Sequence, residues 1–439
     1  MRDSRKRASP TRTKSESARV QRRKLANGLR LVLVPMAGAR SATASLHVRV
    51  GSRFESARDN GISHFLEHML HRGTTAHPSA HEQALAFERL GGTLGASTYV
   101  DHGVLAVSVP PDRICAALEL LADVCLRPVF DAIETERGIV REEILETLDS
   151  RGRRVGPDDI LRSIVFPRHA LGMPITGELA TLKRFDRPAL KRHHRRYYTS
   201  RMVVVVAGRF SSADVTRSVS EHFRLPRGKE PKSPSPRQLR GPVISHVRDD
   251  SSQTALRLGF RGPGERDRDE PAVELLLRVI DDGTSTRLYH RICDERGLCY
   301  DVSALFEPYE DAGLLDIAAD CSHEHTLEVA TEILRMAREL REQGPTEAEL
   351  EKARTRLAFQ LEAMHDSPAE LAAFYGFGEL TGLDRTPEQR LARMHALGPR
   401  ELKAAARRLF RADRLGLVTV GDLDRGQRAS LARAVADFA

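Results

Sequence analysis

Tryptophan is absent from the chain, and aromatic residues make up only 5% of its 439 positions. A protein that grips nucleic acid by stacking bases on aromatic platforms draws on more than that. The five cysteines (Cys115, Cys125, Cys293, Cys299, Cys321) are odd in number and form no CxxC pair. That argues against a disulfide framework and against a cysteine-ligated zinc site, and it fits a reducing cytoplasm. Most of them are expected to be small buried apolar groups. No apolar run approaches the roughly 20 residues that cross a bilayer, so no membrane partner is expected. The body of the chain also lacks net charge. Ten Lys or Arg fall within residues 1–24, opposed only by Asp3 and Glu16, so this arm accounts for the whole formal charge of +8. What remains is close to neutral and offers no electrostatic footprint for DNA or RNA. The arm has no apolar segment of the secretory kind, and its two acids weigh against a transit peptide. A disordered, solvated tail is expected over 1–24.

A hydrophobic content of 40% and a charged content of 30% are those of a globular protein, and the length calls for two domains or more. Five prolines between 226 and 242, set among Lys, Arg and Ser, mark 226–243 as an exposed linker. The chain then divides into 25–225 and 244–439. These halves repeat one order of elements. In the first, an apolar helix ends at Gly73, a strand covers 103–109, helices follow over 116–126 and 134–148, and a β-branched run closes at 202–207. In the second, the apolar run 272–280 ends near Gly283, a strand covers 314–319, helices follow over 327–340 and 347–364, and a β-branched run closes at 415–420. The segment 41–50 alternates apolar and polar residues as a half-buried strand does. The expected fold class is α+β: a tandem duplication of an α/β roll, each copy a mainly antiparallel sheet with helices packed on one face.

The segment GISHFLEHML at 61–70 carries the chemistry. His64 and His68 stand four residues apart, so one helical turn brings both imidazoles to one face. Glu67 projects from nearly the same face, within reach of a metal-bound water. The rest of the helix is apolar, and ionisable groups on a buried helix need a reason to be there, which a metal supplies. The order is H-x-x-E-H, the reverse of the better-known H-E-x-x-H. By itself it is moderately specific, and a pair of surface histidines is the plain alternative. A catalytic zinc takes three protein ligands and keeps one position open. The charged helix beginning near Glu134 offers Glu136 and Glu143, two turns apart on one face, and spacing alone leaves both in play.

With these residues the chain resembles the M16 peptidases, the inverzincin group that includes pitrilysin, insulysin and the mitochondrial processing peptidase. The matching stretches are GISHFLEHML at 61–70, FERLGG at 87–92, Asp101-His102, ERGIVREE at 136–143, PITG at 174–177, YYT at 197–199 and VVVVAG at 203–208. STRL at 285–288, RGLCY at 296–300 and DAGL at 311–314 follow in the second half. The resemblance runs from about Leu25 to the C-terminus. It implies Glu143 as the third ligand, with Glu142 as its confounder one step around the helix. Glu136 is implied as the carboxylate behind a ligand histidine. Zinc would acidify a water and polarise the scissile carbonyl while Glu67 moves the proton.

Aligning the halves on Gly73 and Gly283 puts Glu274, Leu277 and Arg278 where His64, Glu67 and His68 stand, so one zinc per chain is expected. The resemblance assigns a substrate contact to Tyr300, while the family's arginine position holds Cys293, leaving Arg296 or Arg291 to substitute. Gly95 replaces an asparagine common beside the bound peptide. A chain of this length implies a dimer enclosing a chamber, a homodimer in the simplest case and a heterodimer with a related subunit in the other. The substrates implied are short or unfolded polypeptides. A non-catalytic scaffold subunit is the alternative, and the retention of His64, Glu67, His68 and Glu143 together argues against it.

Overall fold

Valines at 203–206 favour extended backbone, and they sit at the centre of the first of two sheets in this computed structural model, which describes residues 20–383 and 386–438. The first half supplies strands β1 (Gln21–Lys24), β2 (Arg30–Pro35) and β3 (Ala42–Val48), then helices α1 (Ile62–Leu70) and α2 (Ala80–Glu88). The hairpin β4 (Gly95–Thr98) and β5 (Gly103–Val109) comes next, followed by α3 (Ile114–Leu126), α4 (Ile133–Glu146), α5 (Pro157–Val165), α6 (Leu179–Leu182) and α7 (Arg187–Tyr197). Strand β6 (Val203–Gly208) and helix α8 (Ser212–His222) close it. The sheet order is β1-β2-β6-β3-β5-β4, with only β2 and β6 parallel.

The second half repeats the plan. Strands β7 (Val243–Val247) and β8 (Thr254–Gly262) lead to α9 (Glu270–Ile280), the hairpin β9 (Cys299–Pro308) and β10 (Gly313–Cys321), and helices α10 (Thr326–Glu342) and α11 (Glu347–Ala363). Then come α12 (Pro368–Thr381), α13 (Pro387–His395), α14 (Pro399–Leu409), β11 (Leu415–Val420) and α15 (Arg425–Phe438). Its sheet order, β7-β11-β8-β10-β9, matches β2-β6-β3-β5-β4 strand for strand. The duplication expected from the order of elements is thus present in the topology. Among the described residues no helix is long and apolar enough to cross a membrane.

Three expectations need correction. The segment 41–50 is not half-buried, because every residue of β3 is buried. The second face of the first sheet is covered by α12, a helix of the other half, while α5 of the first half covers β8 and β11. Helices therefore lie on both faces of each sheet, one of them exchanged. The polar residues of β3 tolerate burial because they find partners: Thr43 Oγ1 bonds Ser108 Oγ of β5 at 2.8 Å, and Ser45 Oγ bonds His47 Nε2 within β3 at 3.0 Å. Gly376 is required where α12 crosses, since a Cβ there would lie 2.0 Å from His47 Nε2.

The arm is not wholly a tail either. Its end, β1, pairs antiparallel with β2, and Arg22 reaches Glu379 on α12 at 3.4 Å. Residues 1–19 of the expected arm lie outside the described residues. The stretch 226–243 is mostly exposed, as expected, yet it is tied down rather than free. The Pro226 carbonyl accepts from Ser200 N at 2.9 Å, and the Pro234 carbonyl accepts from His169 Nε2 at 2.7 Å. The halves themselves are joined by Arg49–Glu310 at 2.7 Å and Arg53–Asp311 at 2.6 Å, with Arg53 almost fully buried.

Candidate metal centre

Helix α1 starts at Gly61, whose positive φ of 93° and close approach to Gly177 leave no room for a side chain. With no side chain at the N-cap, Glu55 takes over the capping role. Its carboxylate accepts from the backbone N–H groups of Gly61 and Ser63, each at 2.8 Å, and from Asn60 Nδ2 at 3.1 Å. A carboxylate there satisfies orphan donors and complements the helix dipole. Ser63 in turn bonds His193 on α7 at 3.0 Å. Ile62, Phe65, Leu66, Met69 and Leu70 are buried, which fixes the rotation of α1 about its axis. That rotation turns His64 and His68 toward α4, with ring centroids 4.6 Å apart.

From α4, Glu143 faces both rings. Its Oε1 lies 3.4 Å from His64 Nε2, and its Oε2 lies 3.6 Å from His68 Nε2. One ligand atom from each of the three residues falls within 4.8 Å of the others, and they are the one group of His, Cys, Asp or Glu of this kind among the described residues. Glu136, a turn pair earlier on α4 and nearly fully buried, accepts from His68 Nδ1 at 2.7 Å and from Arg72 Nε. Because a carboxylate only accepts, Nδ1 of His68 carries a proton, and its Nε2 is left facing Glu143. Glu67 accepts a 2.7 Å hydrogen bond from Thr98 Oγ1 at the end of β4. Glu142 points elsewhere, exposed and paired with Arg141 at 2.5 Å.

The electrostatics describe a site short of one cation. Burial, reinforced by His68, drives the His64 pKa down to about 3, so its ring is neutral with a free lone pair. Burial opposes protonation of His68 too, but its hydrogen bond to Glu136 and the charges of Glu136, Glu67 and Glu143 outweigh it and raise the pKa. Burial and the neighbouring Glu67 and Glu146 raise Glu143 despite the pull of His68. Two imidazole nitrogens and a carboxylate that resists holding its charge alone fit a divalent metal of the zinc type, which favours N and O donors in this number.

The remaining expected residues lie in the second half. Tyr300, at the start of β9, is 95% exposed. Arg296 pairs with Glu328 and approaches Glu332 at 3.4 Å, and Arg291 bonds Glu339 at 2.8 Å, so both arginines are held by carboxylates of α10. Cys293, in a π-helical turn, has its sulfur 3.8 Å from that of Cys299. Glu274 accepts from Arg390, and Arg278 bonds Asp282 at 3.0 Å, so both positions aligned with the histidines serve internal ion pairs. Sequence reasoning missed Glu55, Thr98 and the Ser63–His193 contact. An acid just before a helix start was a usable signal for Glu55, while the other two depend on tertiary packing that leaves no local pattern.

Residues 30–177 match the family model described as insulinase (peptidase family M16), and residues 184–357 match the model of the M16 inactive domain. An uncharacterized zinc protease of Mycobacterium leprae is 32% identical over 85% of this chain and 86% of its own length. The chain belongs to peptidase family M16. The M16 chain is also 29% identical to an uncharacterized zinc protease of Bacillus subtilis, over 88% of its length and 95% of the relative's. In fold it superposes on a peptidase M16 inactive-domain protein from Pseudomonas fluorescens with a TM-score of 0.84 at 23% identity, covering 92% of this chain and 98% of that one. A protease from Helicobacter pylori gives a TM-score of 0.82 at 20% identity, covering 92% of this chain and all of the other.

Proposed function

We propose that this chain is a zinc-dependent endopeptidase or oligopeptidase that hydrolyses short or unfolded polypeptides. The observation that carries the reading is the convergence of His64, His68 and Glu143, with Glu67 on the same helix face as the two histidines. A zinc held by those three residues supplies Lewis acidity, lowering the pKa of a water and polarising the scissile carbonyl. Glu67, held in place by Thr98, takes the proton of the attacking water and returns it to the leaving amine. Glu136 fixes the tautomer of His68 and so keeps its Nε2 available as a donor. No serine or cysteine nucleophile enters, and no covalent intermediate is needed. The aligned positions in the second half hold no such set, so the stoichiometry is one zinc per chain. The zinc-protease names of the relatives agree with this reading.

A homodimer enclosing a chamber completes the proposal, with Tyr300 of the second domain available to substrate and Arg296 contributing through its side-chain stem. A heterodimer with a related subunit is the second arrangement. The deciding experiment combines metal content by mass spectrometry with hydrolysis of a quenched peptide, for the native chain and for Glu67→Gln. About one zinc per chain, with turnover lost and metal kept in the variant, is the expected result. Folded protein that holds no metal, purified without chelator, would refute the peptidase and leave a scaffold subunit.

A further inference from the structure

A cavity of about 500 Å³ opens between α12 of the second half and the helices α9, α11 and α13. Phe374, Phe377 and Met364 give it apolar walls, and Glu265, Glu270, Glu370 and Arg390 give it charge. Arg390 is the one cation lining it among the described residues, and it is committed to Glu274 through Nε at 3.2 Å and through Nη2 at 2.5 Å. Glu265 is the unusual member. It is only 2% exposed, and its Oε1 receives no hydrogen bond. A buried carboxylate without a partner is costly and demands an explanation.

The charged groups around Glu265 do not supply one. Asp101 and Glu310 repel it, and Arg49 and Arg266 attract it. Arg49 is bound to Glu310 at 2.7 Å, and Arg266 donates to the carbonyl of Thr381. Burial, then Asp101, pushes the Glu265 carboxyl up to about 8. What is missing is a cation delivered from the cavity side, where aromatic rings favour an apolar body and a positive head alike. The volume falls within the range of small-ligand sites.

We propose that this cavity binds an organic monocation, a primary ammonium carried on an aryl or alkyl body, with Glu265 as its counter-ion and Phe374 and Phe377 against the body. A charge-assisted hydrogen bond to the carboxylate would supply the missing positive partner. The cavity shares no residue with the metal centre but adjoins its hairpin. Phe377 meets the His102 ring edge-on at 5.1 Å, and His102 lies in the turn between β4, which carries Thr98, and β5. The same head-and-body chemistry occurs in a free arylalkylamine and in the amino terminus of a peptide that begins with an aromatic residue.

The test is titration calorimetry on the full chain, with phenethylammonium chloride as probe and 2-phenylethanol as its uncharged analogue. Saturable binding at one site per chain is expected, with the alcohol at least tenfold weaker. Glu265→Gln should weaken the amine at least tenfold and leave the alcohol unchanged. Affinity for the amine should rise several-fold from pH 6.5 to pH 8.5 as Glu265 ionises. Ala373→Trp, which places an indole at the cavity wall from an exposed position and leaves Glu265 in place, should abolish both. Displacement of the probe by a tripeptide amide beginning with phenylalanine, and not by its acetylated form, would assign a peptide amino terminus as the source. Failure of both peptides to displace it would assign a free amine. Absence of saturable binding to folded protein, equal affinity for amine and alcohol, or no effect of Glu265→Gln would overturn the proposal.

Discussion

Replacing Glu136 by glutamine probes how the metal centre is held. The carboxylate is nearly fully buried and accepts from His68 Nδ1 at 2.7 Å on one oxygen and from Arg72 on the other. An amide of the same shape has one accepting oxygen, so one of those donors would face an NH2 group instead. A hydrogen bond involving a charged group contributes about 1.5–3 kcal/mol, and 1.4 kcal/mol is a factor of ten in an equilibrium constant. The contact to Arg72 exists whether or not metal is bound, so only the His68 arm couples to the metal. That leaves a loss of about 10- to 100-fold in zinc affinity, the size typical of a carboxylate behind a ligand histidine. Competition against a fluorescent zinc chelator measures it. Glu143→Gln should be weaker than Glu136→Gln, because it removes a ligand atom and its charge, and Glu142→Gln should match the native chain. Native affinity in Glu136→Gln would refute the assignment of the tautomer-fixing role. Equal losses in Glu142→Gln and Glu143→Gln would refute the orientation of α4.

Two further perturbations test the fold. Gly376→Ala should destabilise the chain by about 1–3 kcal/mol, because its Cβ would meet the buried His47 ring and overpacking outweighs the gain in helix propensity. Gly138→Ala on α4, where a Cβ meets nothing within 4 Å, should instead raise the melting temperature, so equal shifts in the two variants would contradict the placement of α12. Glu349 bears on acid stability. Burial opposes its ionisation, but hydrogen bonds from Arg287 and the Thr346 N–H prevail and hold it at about 2 against an ordinary 4.5. A depressed carboxylate stabilises fully above about pH 4.5, and that contribution fades as pH falls through about 2. Arg287→Gln should therefore lie below the native chain by a constant margin at neutral pH, with the gap closing in acid. A gap that widens below pH 4 in denaturant titrations would reverse the sign and defeat the argument.

The sequence carried the duplication plainly because each half repeats its apolar helix, its strands and its valine-rich closing strand in one order. It also carried His64, Glu67 and His68, since a helical turn is a local geometry. The choice between Glu136 and Glu143 was not local. It depends on how α4 crosses α1, and resemblance to a family had to stand in for that crossing. The exchange of α5 and α12 was illegible for a related reason. A helix sequence shows which face is apolar but not which sheet receives it. The alternation at 41–50 misled in the same way: Thr43, Ser45 and His47 read as solvent-facing, yet they bond to their neighbours beneath a helix that starts more than 300 residues later.

That exchange bears on why a duplicated chain would need only one metal centre. Each sheet is closed on its second face by a helix of the other half, with Val32, Val203 and Val205 buried against α12, and Leu314 and Val418 grouped with Leu161 and Val165 of α5. Neither half has a complete core without the other, so the second half is retained for folding whether or not it performs chemistry. Its ligand positions were then free to take structural roles. Glu274 binds Arg390, and Arg278, standing where His68 stands in the first half, ties α9 to Asp282 and Gln360. An arginine at that position would repel a divalent cation, whereas an imidazole there can offer a lone pair to one. The two halves thus share a backbone plan and differ in the side chains at one helix face, where the first presents two imidazoles toward a carboxylate and the second presents Glu274 and Arg278, each already committed to an ion pair.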